Sequence, residues 1–220
     1  MLILFGGKDN ILIKFATMFS IFLLLFLALS AALIIYPFKN GKRGFWTKIF
    51  RIFVVLISVG VFAYFFITKS LTRFTKDAMT VQIINKMPLP LDIYLVKINQ
   101  DDDAQKGYET RHVGTIRTNH FRMEYLDVKK SDEFWIAALQ GKNNMVYFSQ
   151  HSLANKNEDR NIEIQTYLNQ SEKLSAIAKE KIEDLKIENS KSAIWIVLDL
   201  LLLFLNIVLL FKKRKLDTSV

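Results

Sequence analysis

Three long apolar blocks constrain this chain more than any other feature of its sequence. The first runs from Ile11 to Tyr36 with Lys14 as its only charge, the second from Ile49 to Ile67 with Arg51 near its start, and the third from Ala193 to Phe211 with Asp199 inside. A helix needs ~20 mostly apolar residues to cross ~30 Å of hydrocarbon, and each block has that length. A soluble protein would have to enclose three helices that are apolar all round, and nothing else in the sequence offers enough amphipathic surface to do so. Three transmembrane spans are therefore expected, at residues 11–36, 49–67 and 193–211. Small residues at Ala28, Ser30, Ala31 and Ala32 resemble those of a signal-peptide cleavage site. The apolar run before them, however, far exceeds the ~7–15 residues of a signal h-region.

Charge sets the orientation. Lys39, Lys42, Arg43, Lys48 and Arg51 cluster between or at the edge of the first two blocks, and Lys212, Lys213, Arg214 and Lys215 follow the third. By the positive-inside rule both clusters are topology signals on the cytoplasmic side. The N-terminus and the region between the second and third spans then lie outside the cytoplasm. The formal net charge of +9 has the same origin. Residues 69–191 carry 19 Lys+Arg and 18 Asp+Glu, so nearly all of the excess flanks the spans. That is a membrane signature and not a basic nucleic-acid face, so no nucleic-acid partner is expected.

Residues 75–168 alternate with the period of β-strands. Candidate strands are 80–85, 91–99, 111–117, 120–128, 133–140, 145–150 and 161–168, with turn chemistry at Met87-Pro88-Leu89-Pro90, Asp101-Asp102-Asp103 and Gly141-Lys142-Asn143-Asn144. Phe121-Arg122-Met123-Glu124-Tyr125 alternates most clearly, apolar on one side and charged on the other, the pattern of a half-buried strand. About seven short strands with turns every ~8–12 residues predict an antiparallel β-sandwich of immunoglobulin-like type, with a curled sheet or partial barrel as the competing arrangement. The expected fold class is thus an α+β membrane protein, with a transmembrane hairpin over 1–74, an extracytoplasmic β domain over 75–168, and a long helix from 169 running into the third span. Asn169 followed by Glu172 fits a capping box at the start of that helix.

Candidate catalytic groups are scarce. The chain has no cysteine, which removes thiolate chemistry and disulfides. His112, His120 and His151 have no metal-ligand spacing, and Asp101-Asp102-Asp103 lacks the spaced acceptors of a calcium loop. No phosphate-binding glycine loop or nucleophile elbow is present. No enzyme activity, cofactor or metal is expected.

The polar residues inside the spans carry the functional expectation. Asp199 sits within the third block, Asn206 lies seven residues on and Ser192 seven residues back, so all three share one helix face. Polar residues on such a seam hold membrane helices together. Lys14 and Asp199 have opposite sign near the outer side, and a pair between them would relieve both charges. The function expected is a non-enzymatic accessory or scaffold subunit of a bacterial inner-membrane complex. Its partners would be the lipid bilayer, other integral membrane subunits and a periplasmic protein. The alternative is an ion- or proton-coupled component of a transporter or membrane motor using Asp199.

Overall fold

The computed structural model describes residues 8–35, 42–71, 79–100, 106–127, 131–141, 143–156 and 158–211. Pro37, Lys39, Asp101-Asp102-Asp103, Lys142 and the basic run Lys212–Lys215 lie outside the described residues, as do the side chains of Lys14, Lys42 and Arg43. The protein is mixed α+β, with three helices and two sheets. Helix α1 spans Lys8–Ile34, α2 Lys42–Leu71 and α3 Glu172–Phe211, and all the strands fall between α2 and α3. The chain divides into two compact units, one of residues 1–11 and 72–189 and the other of 12–71 and 190–220. Each is described separately.

The β unit contains strands β1 Met79–Asn85, β2 Leu91–Gln100, β3 Lys106–Ile116, β4 Phe121–Leu126, β5 Ser131–Gln140, β6 Asn144–Ser152, β7 Arg160–Ile164 and β8 Leu168–Asn169. The small sheet has the order β4-β1-β7 and the large one β3-β2-β5-β6-β8. Pairing is antiparallel except at β1–β7 and β6–β8. Val81, Ile83, Ile162 and Ile164 of the small sheet share a core with Leu91, Ile93, Phe134, Ile136 and Ala138 of the large one. On the opposite face of the large sheet, Tyr94, Val96, Ile98, Trp135, Ala137, Leu139 and Phe148 pack with Ala178 and Ile182 of α3, helped by Leu174, Ile177 and Leu185. The central strands β2 and β5 are covered on both faces. That is why they read as continuous apolar runs, whereas a half-exposed strand alternates.

Three local expectations are corrected. First, the segment 161–168 is not one strand: β7 ends at Ile164, and β8 then joins the other sheet beside β6. Second, the helix cap lies two residues later than expected. The Leu174 N–H donates to Ser171 Oγ, while Asn169 Oδ1 accepts from the Ser171 N–H and Asn169 Nδ2 donates to Ser175 Oγ. Ser171 is thus the N-cap, and Asn169 braces the turn leading into it.

Third, the apolar side of β4 faces outward: Phe121, Met123 and Tyr125 are 55%, 51% and 41% exposed. The polar side turns toward β3 because polar partners wait there. Arg122 Nη1 donates to the Val113 carbonyl at 2.6 Å, and Arg111 reaches both the Tyr125 carbonyl and Glu124. The register of β2 on β3 shifts at this place, and Gly114 adopts φ +111. A Cβ on Gly114 would displace the Arg122 guanidinium, and the backbone at φ +111 favours glycine there.

Two of the helices, over Phe45–Thr68 and within Glu172–Phe211, are long and apolar enough to cross a membrane, and α1 adds the shorter apolar stretch Phe19–Ile34. The helical unit packs Phe22, Leu25, Leu29 and Ala32 of α1 against Val54 and Phe62 of α2 and Leu203 of α3. Buried positions recur every three or four residues on each helix, the spacing of left-handed helix bundles. Phe22 meets Phe62 and Phe65, while Ala32 meets Arg51, so α2 runs antiparallel to α1. Trp195 lies edge-on between Phe19 and Phe26, at 5.4 and 5.7 Å, and Asn206 meets Leu29, so α3 runs parallel to α1.

Candidate functional site in the helical unit

The outer surface of the helical unit is apolar, and its apolar core also encloses polar groups. Leu24, Leu27, Phe53, Leu56, Ile194, Val197, Leu201 and Phe204 are exposed, whereas Arg51, Ser58, Asp199 and Asn206 are buried. A protein folded in water shows the reverse.

The four polar groups form two tiers. In the lower one, Arg51 Nη2 donates to the Ala32 carbonyl at 2.8 Å, and Asn206 Nδ2 donates to the carbonyls of Leu29 at 3.1 Å and Leu202 at 2.9 Å. Leu29 and Ala32 are neighbours on one turn of α1, so Arg51 and Asn206 meet that helix at nearly the same height. Seven residues along α2 from Arg51 comes Ser58, and seven residues back along α3 from Asn206 comes Asp199. Because α2 and α3 are antiparallel, both steps lead the same way, by ~10 Å of helical rise. Ser58 and Asp199 therefore make the upper tier.

The upper tier consists of acceptors. Ser58 Oγ donates its proton to the Val54 carbonyl at 2.8 Å, leaving only lone pairs to offer. Asp199 is 0% exposed, and neither carboxylate oxygen has a hydrogen-bond partner among the described residues. In the lower tier Asn206 Oδ1 is likewise unpartnered.

Of the residues picked out in the sequence, Asp199 and Asn206 lie together in the interior and Ser192 is half-buried on the same helix. Lys48 is exposed. Arg51, which by sequence is a topology signal, is 5% exposed inside the unit. Ser58 was not among the candidates. Its signal was present: Arg51 and Ser58 repeat on α2 the seven-residue spacing of Asp199 and Asn206 on α3.

The β unit has polar clusters of its own. Asp92 accepts from the Tyr94 hydroxyl at 2.9 Å and from Thr115 Oγ1, and faces His112 Nε2 at 2.6 Å, with the imidazole stacked on the Tyr94 ring. Burial first, then the Asp92 carboxylate, push the Tyr94 phenol well above its ordinary range. Lys186 Nζ of α3 lies over the Tyr94 ring, 5.5 Å from its centroid. Burial favours the neutral acid at Glu109, but Lys97 and Arg111 outweigh it and hold the carboxyl below the usual glutamate range. His151 bonds Ser149 and stacks on Phe134; burial, with Arg160 adding to it, pushes its imidazole down. No group of three or more metal-ligating side chains occurs among the described residues.

Comparison with known proteins leaves these residues to be interpreted on their own chemistry, since no family model, curated protein or solved structure matches the chain.

Proposed function

We infer that the chain is a non-enzymatic accessory or scaffold subunit of a bacterial inner-membrane complex, with three spans, a periplasmic β unit and N-terminus, and a cytoplasmic C-terminus. The observation that carries this reading is the inverted helical unit, whose apolar residues face outward while Arg51, Ser58, Asp199 and Asn206 face inward. Lipid solvates such an exterior, and interior polar groups then hold the helices together. The strand orders also support the immunoglobulin-like expectation. The run β3-β2-β5-β6 has the connectivity of the C′-C-F-G strands and β1–β4 that of the B–E pair. The departure is β7, which occupies the place of the first strand but arrives from the far end of the domain and runs parallel to β1.

Contact with a periplasmic protein is assigned to the outward stripe Phe121, Met123 and Tyr125, because large apolar groups in a row on a sheet edge mark interaction surfaces. The test is native electrophoresis of gently solubilised membranes. Wild-type chain should migrate as part of a larger assembly, and Met123→Asp should release it at unchanged abundance. Wild-type migration at the mass of the free chain would overturn the proposal.

One observation favours the second reading, an ion- or proton-coupled component of a transporter or motor. A buried carboxylate without a partner is costly in a bilayer, and such groups mark ion and proton sites.

A further inference from the structure

We propose that the upper tier, Asp199 with Ser58, is a binding site for one small monovalent cation, either a proton or an alkali-metal ion. The inference deepens the ion-coupled reading and rests on the helical unit lying in a bilayer.

The chemistry of the tier selects the ligand. Every polar atom it presents is an oxygen acceptor: Asp199 Oδ1 and Oδ2 are without partners, and the Ser58 hydroxyl has given its proton to Val54. An anion finds no donor there. A water molecule supplies donors but leaves the carboxylate charge uncompensated among Phe22, Leu25, Val54, Phe62 and Leu203. A cation supplies what is missing, and oxygen ligands select hard cations over soft ones. One carboxylate balances one positive charge, and Asp199 is the only Asp or Glu in residues 12–71 and 190–211, so this stretch offers no second acidic ligand for a divalent ion. If the ligand is a proton, it bonds to one carboxylate oxygen and removes the buried charge. If it is an alkali ion, the two carboxylate oxygens begin its coordination shell, and the Ser58 hydroxyl at the same height of the bundle is a further acceptor. Arg51, in the lower tier, bonds the Ala32 carbonyl, ~10 Å away along the axis by helical rise.

The experiment uses the full chain in lipid nanodiscs, with thermal midpoints measured in sodium, potassium, lithium or choline chloride at equal ionic strength and at several pH values. An alkali-ion site gives a saturable rise in midpoint with one alkali ion over choline. A proton site gives no alkali preference and a midpoint that rises as the pH falls. Either response should disappear in Asp199→Asn, whose amide has the same shape but no charge. Ser58→Ala keeps the carboxylate and should shift the response to higher ion concentration or lower pH. Identical ion and pH responses in wild type and Asp199→Asn would overturn the proposal. If Asp199→Asn does not fold, a Ser58→Ala response identical to wild type would overturn it. A chain that stays in aqueous solution without lipid or detergent would instead refute the membrane reading.

Discussion

Asn206 on α3 donates from Nδ2 to the main-chain carbonyl of Leu29 on α1, across 177 residues of sequence and 3.1 Å of space. This bond ties α3 to α1 and fixes the height at which they meet. Hydrogen bonds between helices in lipid contribute about 0.6 kcal/mol on average and up to ~1.7 kcal/mol. Asn206→Leu, which keeps the volume, should lower the stability of the helical unit within that range. Unfolding in mixed micelles with increasing SDS measures it.

A pair between Lys14 and Asp199 must satisfy a demanding geometry. The rings of Phe19 and Phe26 bracket Trp195, which sets the relative height of α1 and α3. Asp199 then lies one turn past Trp195, while Lys14 lies beyond Phe19 the other way, about 18 Å apart along the axis by helical rise. The Lys14 side chain lies outside the described residues, and a double-mutant cycle on stability with Lys14→Met and Asp199→Leu tests the pair: additive effects are expected if Asp199 holds a bound cation instead. A coupling energy well above ~0.5 kcal/mol would establish the direct pair.

Gly114 holds open the space that the Arg122 guanidinium occupies, with a backbone at φ +111. Gly114→Ala adds both a left-handed strain and a steric overlap. A cost of about 1–3 kcal/mol is expected for the β unit. Arg122→Ala in the same chain should recover the steric part only. Chemical denaturation of single and double variants separates the two contributions.

Acid should weaken the β unit in two steps. Both groups have lowered folded-state pKa values, so unfolding takes up protons and stability falls as the pH falls. His151, ordinarily near 6.5, makes a contribution that is complete above that value and is lost on acidification below it. Glu109, ordinarily near 4.5, adds a second loss below that value. His151→Gln should flatten the first limb and Glu109→Gln the second, in melting curves recorded from pH 8 to pH 3.

How much of this was legible in the sequence depends on what each segment touches. The apolar blocks and most strands were readable because burial on a regular face leaves a period. The seam through Asp199 and Asn206 was readable for the same reason. On α2, Arg51 carried the signal of a cytoplasmic flank, and its charge concealed a seven-residue repeat with Ser58 that packing reveals. The β4 alternation was correct as a period but inverted in direction. Which face turns inward was decided by Val113, Gly114 and Arg111 on a neighbouring strand, and a single-strand pattern carries no such information. β8 is only two residues long, too short to have a period. It exists because β6 offers it an edge.

The central claim is that the chain spans a membrane with its β unit and its C-terminus on opposite sides. Since the sequence has no cysteine, single cysteines at Asp102 and Ser219 are unambiguous reporters. They would be labelled with a maleimide that cannot cross the inner membrane, in intact cells and again after permeabilisation. The expected result is labelling of Asp102→Cys in intact cells and of Ser219→Cys only after permeabilisation. Labelling of both positions under the same condition would contradict the three-span arrangement.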